Sequence, residues 1–113
     1  MQVSVRQLLL RQPLADVEGK EVSVVMVTYS PGASSRPHRH PGSVIGYVLE
    51  GELVMQMQGQ PPVTYRAGDV FYEKPGLVHQ VSRNGSTRRP ARLLAFCLTG
   101  KGQPVTLPVR DQK

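Results

Sequence analysis

Chain breakers recur too often in this sequence for anything but short extended segments. Pro31-Gly32, Pro41-Gly42, Glu50-Gly51, Gly59-Gln60-Pro61-Pro62, Ala67-Gly68-Asp69, Pro75-Gly76, Asn84-Gly85 and Gly100-Lys101-Gly102 divide it at short intervals. Between them lie β-branched or alternating apolar runs. These predict strands near Arg6–Leu10, Glu21–Tyr29, Ser43–Leu49, Glu52–Gln58, Val63–Arg66, Val70–Glu73, His79–Ser82, Arg92–Thr99 and Val105–Val109. No segment carries a helical apolar stripe longer than about two turns. Short strands with a turn every eight to twelve residues or so predict an all-β sandwich or barrel. With 113 residues, the expectation is a single domain over 1–113 with one core.

The composition narrows the class. Apolar residues make up 39% and charged residues 19%, which suits a globular chain rather than a disordered one. The longest apolar run, Leu93 to Leu98, is far too short to cross a bilayer, so no membrane partner is expected. The N-terminus has no basic segment followed by an apolar stretch. The lone Cys97 cannot form an internal bridge, and together these features give the expectation of a cytoplasmic protein. Lys and Arg outnumber Asp and Glu by 14 to 8, a net charge of +6. Such an excess can attract nucleic acid or small anions. The arginine-rich stretch Ser82 to Arg92 holds no aromatic residue for base stacking, so a solvated loop is the favoured reading and nucleic acid the minor one.

Two predicted strands are apolar on both faces. Val22 to Val27 has Ser23 as its only polar member and Leu93 to Leu98 has none. One face of a strand in a two-layer fold normally meets water. A second cover is therefore expected, and a homodimer partner supplies it most simply; the chain's own N-terminal segment would serve equally.

The three histidines, His38, His40 and His79, are the residues with chemistry to offer. His38 and His40 stand two apart, so on extended chain both project from one face while Arg39 points away. Imidazoles so placed can each approach one ion at about 2.0–2.1 Å. His79 follows the turn Pro75-Gly76-Leu77-Val78 and completes a triad if its strand neighbours the first. Imidazole ligands suit Fe, Mn, Ni or Zn better than Mg or Ca. Ordinary polar side chains on loops and strand ends are the bland alternative. The tract Ser34-Ser35-Arg36-Pro37 before the pair and Pro41-Gly42 after it keep that segment extended.

With these residues in place, the stretch from Gly32 to Asn84 resembles the cupin superfamily. The first family motif is met by Gly32, five residues, His38-Arg39-His40, three residues, Val44, six residues and Gly51. The second is met by Gly68, five residues, Lys74-Pro75-Gly76, two residues and His79. Arg83 sits where the family has Asn, and Asn84 lies one place later. The resemblance implies a double-stranded β-helix, a small jelly-roll barrel whose mouth holds one divalent metal. It also implies that His38, His40 and His79 are the three histidine ligands. Val44 occupies the place of the family's glutamate ligand and cannot coordinate. Three neutral imidazoles leave an ion its full +2 charge, which favours an anionic further partner. Glu73, six residues before His79 on a neighbouring strand end, is a possible substitute ligand, but a solvated carboxylate or a partner for Arg66 or Lys74 is the favoured reading.

Candidate pocket residues are Val44, Tyr47, Met55, Phe71 and Phe96. Tyr47 is a weak candidate for a general base, and Cys97, in an apolar strand, reads as an inert buried thiol. The resemblance implies a metal-dependent enzyme, dioxygenase-like or an isomerase or cyclase, acting on a small organic molecule, and the uncompensated charge of a three-imidazole ion favours an anionic one. A non-catalytic module that binds a small ligand or metal stands beside it, as does a structural dimer with a degenerate site. No particular catalytic side chain is identified.

Overall fold

The computed structural model describes residues 4–109. Eleven strands follow one another: β1 (Ser4–Pro13), β2 (Lys20–Tyr29), β3 (Ser34–Ser35), β4 (His38–Arg39), β5 (Val44–Glu50), β6 (Glu52–Met57), β7 (Val63–Arg66), β8 (Val70–Glu73), β9 (His79–Asn84), β10 (Ala91–Gly100) and β11 (Leu107–Pro108). The described residues contain no helix, so none is long and apolar enough to cross a membrane. Five strands form one antiparallel sheet in the order β1-β2-β10-β5-β8. The other runs β11-β4-β9-β6-β7, with β3 also paired to β9. Strands from distant parts of the chain alternate between the layers, the winding of a double-stranded β-helix.

Period-two alternation decides which side chains fill the space between the sheets. Along β2, Val25, Val27 and Tyr29 point inward, and along β10 so do Leu93, Ala95 and Cys97. Val44 and Val48 of β5, Leu53 and Met55 of β6 and Phe71 of β8 complete the core. The chain passes from β5 in one sheet to β6 in the other through Gly51. Its φ is 77°, and a Cβ there would lie 2.5 Å from the Pro90 carbonyl oxygen. A side chain at this corner would meet both a left-handed backbone and a collision.

The outward faces of β2 and β10 are half-buried, with Val24, Met26, Leu94 and Phe96 among them. Every described strand belongs to one of the two sheets, so no third layer of strands covers this face among the described residues. The alternative of a covering N-terminal segment is corrected here for the described residues: β1 extends the sheet beside β2, from Ser4↔Tyr29 to Pro13↔Glu21, instead of lying over it.

The predicted strands meet the structure with shifts of a few residues at their ends. Val63–Arg66 and Val70–Glu73 coincide with β7 and β8, whereas β1 runs past Arg6–Leu10 at both ends. Only Leu107–Pro108 of the expected Val105–Val109 is strand. One irregularity bears on the site. β9 pairs with β6 through Val81↔Gln56 and then His79↔Met57, so one extra residue of β9, Gln80, is accommodated as a bulge. The bulge keeps His79, Ser82 and Asn84 all buried on the inner face.

Candidate metal centre

β4 and β9 bring two of the histidines together, as His38 and His79 are direct cross-strand partners. His40 follows β4, and its carbonyl accepts from Gly76 N–H at 2.8 Å. The Pro75-Gly76 turn thus ties the first histidine segment to the approach to the third. The His38 ring lies 4.8 Å from that of His79 and 5.1 Å from that of His40, centre to centre. One nitrogen from each ring falls within 4.8 Å of the others.

Two of the rings are fixed in orientation and tautomer. His38 Nδ1–H donates to the Arg36 carbonyl at 2.8 Å, and His40 Nδ1–H donates to the Val105 carbonyl at 2.6 Å. A carbonyl only accepts, so in each neutral ring Nε2 carries the free lone pair. Burial, opposed by the Arg36 hydrogen bond and reinforced by nearby positive charge, lowers the His38 pKa to about 4. His38 is therefore neutral at physiological pH, the form in which imidazole binds a metal.

His79 is 3% exposed, yet neither of its ring nitrogens has a hydrogen-bond partner. Buried polar nitrogens are rarely left so, and the omission is costly unless another group satisfies them. Beside them stands Glu73, itself 4% exposed. Its Oε2 lies 3.0 Å from His79 Nδ1, and its Oε1 lies 3.3 Å from His40 Nε2. Burial by itself would raise the Glu73 pKa, but contacts with His40 and His79 outweigh it and bring it down to about 2. A set of converging imidazoles, an unsatisfied buried nitrogen and an ionised carboxylate fits a divalent cation. The three histidines can hold a metal ion.

The expectation that Glu73 is a solvated carboxylate is corrected by its burial. Arg66 instead pairs with Glu52 at 3.6 Å. The signal for Glu73 lay in strand register, since β5 and β8 pair Val44 directly with Glu73.

A central cavity of ≈ 50 Å³ is lined by the three histidines, Glu73, Val44, Met55 and Phe71, among others. Tyr47 and Phe96 do not join it. Tyr47 is 39% exposed on the outer side of β5, and Phe96 faces outward from β10 between Val24 and Ile45. The reason is strand phase: each is an odd number of positions from an inward neighbour, Val44 or Cys97. Tyr47 is thereby also removed from the site as a base. Cys97 is buried, and burial together with the Glu73 charge raises its thiol pKa to about 11. Sequence reading passed over Arg6 of β1, which lines the cavity, and the Tyr29 hydroxyl. That hydroxyl shares hydrogen bonds with the Ser35 and Ser82 hydroxyls at 2.8 and 2.7 Å.

This architecture has known counterparts. A cupin-domain-containing oxidoreductase of Neurospora crassa is 38% identical over 73 residues, 65% of this chain and 36% of the relative. The chain spans between 35% and 40% of the length of the curated relatives it matches. A Klebsiella pneumoniae protein with a double-stranded β-helix domain shares the fold at a TM-score of 0.72 and 21% identity, over 95% of this chain and 85% of that one. The DMSP lyase DddQ of Ruegeria pomeroyi superposes with a TM-score of 0.66 at 25% identity, over 77% of this chain and 42% of that one. The sequence model of the cupin domain matches residues 25–97, a span that contains all three histidines, and the chain belongs to the cupin family.

Proposed function

We propose that this cupin is a metal-dependent, dioxygenase-like enzyme that holds one divalent transition metal on His38, His40 and His79 and acts on a small anionic molecule. The observation that carries the reading is His79, buried with its Nε2 unpartnered and its Nδ1 against the Glu73 carboxylate, beside two rings whose Nδ1 atoms are committed to carbonyls. The name of the Neurospora relative, an oxidoreductase, agrees with metal chemistry at such a centre. When bound, iron, manganese, nickel or zinc would supply Lewis acidity and a template for substrate.

The protein's own groups do the rest. The Arg36 and Val105 carbonyls hold the His38 and His40 rings by their Nδ1 protons. Val25, Val27, Leu93 and Ala95 line the inner wall of the cavity and keep bulk water from the rings. The Tyr29 hydroxyl, bound between Ser35 and Ser82, fixes β2 against β3 and β9. On the open side a groove of ≈ 930 Å³ shares Arg6, His38 and Thr106 with the cavity and adds Arg36. Two guanidinium groups along that approach favour an anionic substrate and raise its local concentration. A second pocket of ≈ 270 Å³ reaches Glu73 from the side of Met57 and Leu77 and offers room for apolar substrate parts.

Elemental analysis of protein purified without a histidine tag or added metal tests this reading. Near-stoichiometric transition metal, lost in His79→Ala, is expected. Wild type without metal, or equal metal in both proteins, overturns it. Oxygen consumption with dicarbonyl and catechol-like compounds then separates an enzyme from a binding module. We further propose that the uncovered outer face of β2, β10 and β5 seats a second copy of the chain. Sedimentation that shows a monomer at micromolar concentration would refute that assembly.

A further inference from the structure

We propose that Glu73 supplies the carboxylate ligand lost at position 44, delivered to the metal from β8 instead of from the adjacent strand β5. The inference rests on the metal-binding reading above. Val44 and Glu73 are direct cross-strand partners, so their Cβ atoms lie about 5 Å apart on one face of the sheet. Both are buried, at 3% and 4% exposure, and both line the central cavity. A carboxylate rooted on either strand can therefore be aimed at the same volume.

Glu73 stands against two of the three histidines, His40 and His79, at the separations of neighbouring donors. Donor atoms about 2.1 Å from a common ion and at right angles to each other are about 3 Å apart. Glu73 Oε1 is 3.3 Å from His40 Nε2, and Oε2 is 3.0 Å from His79 Nδ1. His40 Nδ1–H is already committed to the Val105 carbonyl. In the neutral ring, Nε2 thus turns a lone pair toward a carboxylate oxygen. That arrangement repels unless a cation lies between the two. A divalent ion is a strong occupant of that position. With Glu73 as ligand, the charge of the ion and its protein donors falls from +2 to +1, which removes the excess that three imidazoles alone would leave.

The test uses Co(II), whose visible absorption reports its donor set, and measures its dissociation constant for wild type, His79→Ala, Glu73→Gln and Val44→Glu/Glu73→Val. Thermal melts confirm that each protein is folded. Glu73→Gln keeps the volume and removes the charge. Its affinity is expected to fall by more than about 100-fold, beyond what an outer-shell partner costs, with a changed absorption spectrum. Val44→Glu/Glu73→Val moves the carboxylate across the strand pair and should recover affinity to within about tenfold of wild type. Wild-type binding with an unaltered Glu73→Gln spectrum and affinity overturns this inference and leaves the three-histidine centre standing. A folded transposed variant that recovers nothing also overturns it. Failure of wild type itself to bind Co(II) removes the metal-binding reading, and this inference with it.

Discussion

Asn84 is the residue whose removal should most disturb the junction of β9 with the end of β2 and the loop before β10. It is 3% exposed, and its amide holds three chain segments together. Nδ2 donates to the Arg89 carbonyl at 2.7 Å, to the Ser30 carbonyl at 3.2 Å and to the Tyr29 carbonyl at 3.3 Å. Oδ1 accepts from the Ser86 N–H at 2.8 Å. The two short bonds contribute about 1 kcal/mol each, and the two longer ones, which share a single N–H, about 1 kcal/mol together. Asn84→Ala should therefore cost about 3 kcal/mol, or a fall in Tm of about 12 °C for a domain of this length. Asn84→Asp sharpens the test. It keeps the acceptor for Ser86 but turns a carboxylate oxygen toward three carbonyl oxygens, so at neutral pH it should be no more stable than Asn84→Ala. Urea unfolding followed by far-UV circular dichroism reads all three proteins, with the exposed neighbour Arg83→Ala as a control expected within about 0.5 kcal/mol of wild type. A loss below about 1 kcal/mol in Asn84→Ala, or an aspartate variant more stable than the alanine one, would refute the reasoning.

Two further outcomes follow from groups near the cavity. In the metal-free protein the folded His38 pKa of about 4 lies below its unfolded value of 6.5. The unfolded chain therefore takes up the proton first: stability is fully present above pH 6.5 and declines by about 3 kcal/mol as pH falls to 4. Glu73, lowered from 4.5 to about 2, adds a loss of the same sign below pH 4.5. A urea midpoint unchanged between pH 7 and 4 would contradict this. Gly46→Ala would place a Cβ 2.1 Å from Phe71 Cζ and should destabilise by about 1–3 kcal/mol as the ring is pushed from the cavity wall. The double variant Gly46→Ala/Phe71→Leu should recover part of that loss, and no recovery would show that the collision is not the cause.

The fold was legible because its strands are bounded by chemistry that acts locally. Val70–Glu73 lies between Ala67-Gly68-Asp69 and Pro75-Gly76, and both boundaries hold in β8. β1 was cut short because its residues past Ser4 are exposed on both faces, so no apolar alternation marks where it stops. β3 and β4 have two residues each and exist only through pairing with β9 and β11, which no local period can announce. The doubly apolar character of β2 and β10 was visible. That β1 does not supply the second cover, but extends the sheet beside β2, required its position at the sheet edge.

The site divides along the same line. His38 and His40 share a short segment, and spacing alone placed them on one side of the chain. Tyr47 and Phe96 were misplaced by phase, because an aromatic residue on a strand faces inward or outward according to a one-residue difference. Asn84 shows the opposite case. One residue later than the family spacing, it should face outward on a regular strand with His79 inward, yet the bulge at Gln80 absorbs the extra residue and returns it to the interior. The displacement of Asn84 is thus matched by a displacement of the backbone, and a one-residue insertion need not reverse the face of a side chain. Glu73 and Val44 apply the same reasoning across strands instead of along one. What a site requires is a group of the right chemistry in a given volume, and two paired strands offer two roots for it. Spacing within a motif records only one of those roots. The register of β5 against β8 records both, which is why the carboxylate beside His40 and His79 could be absent from the motif and still be present in the barrel.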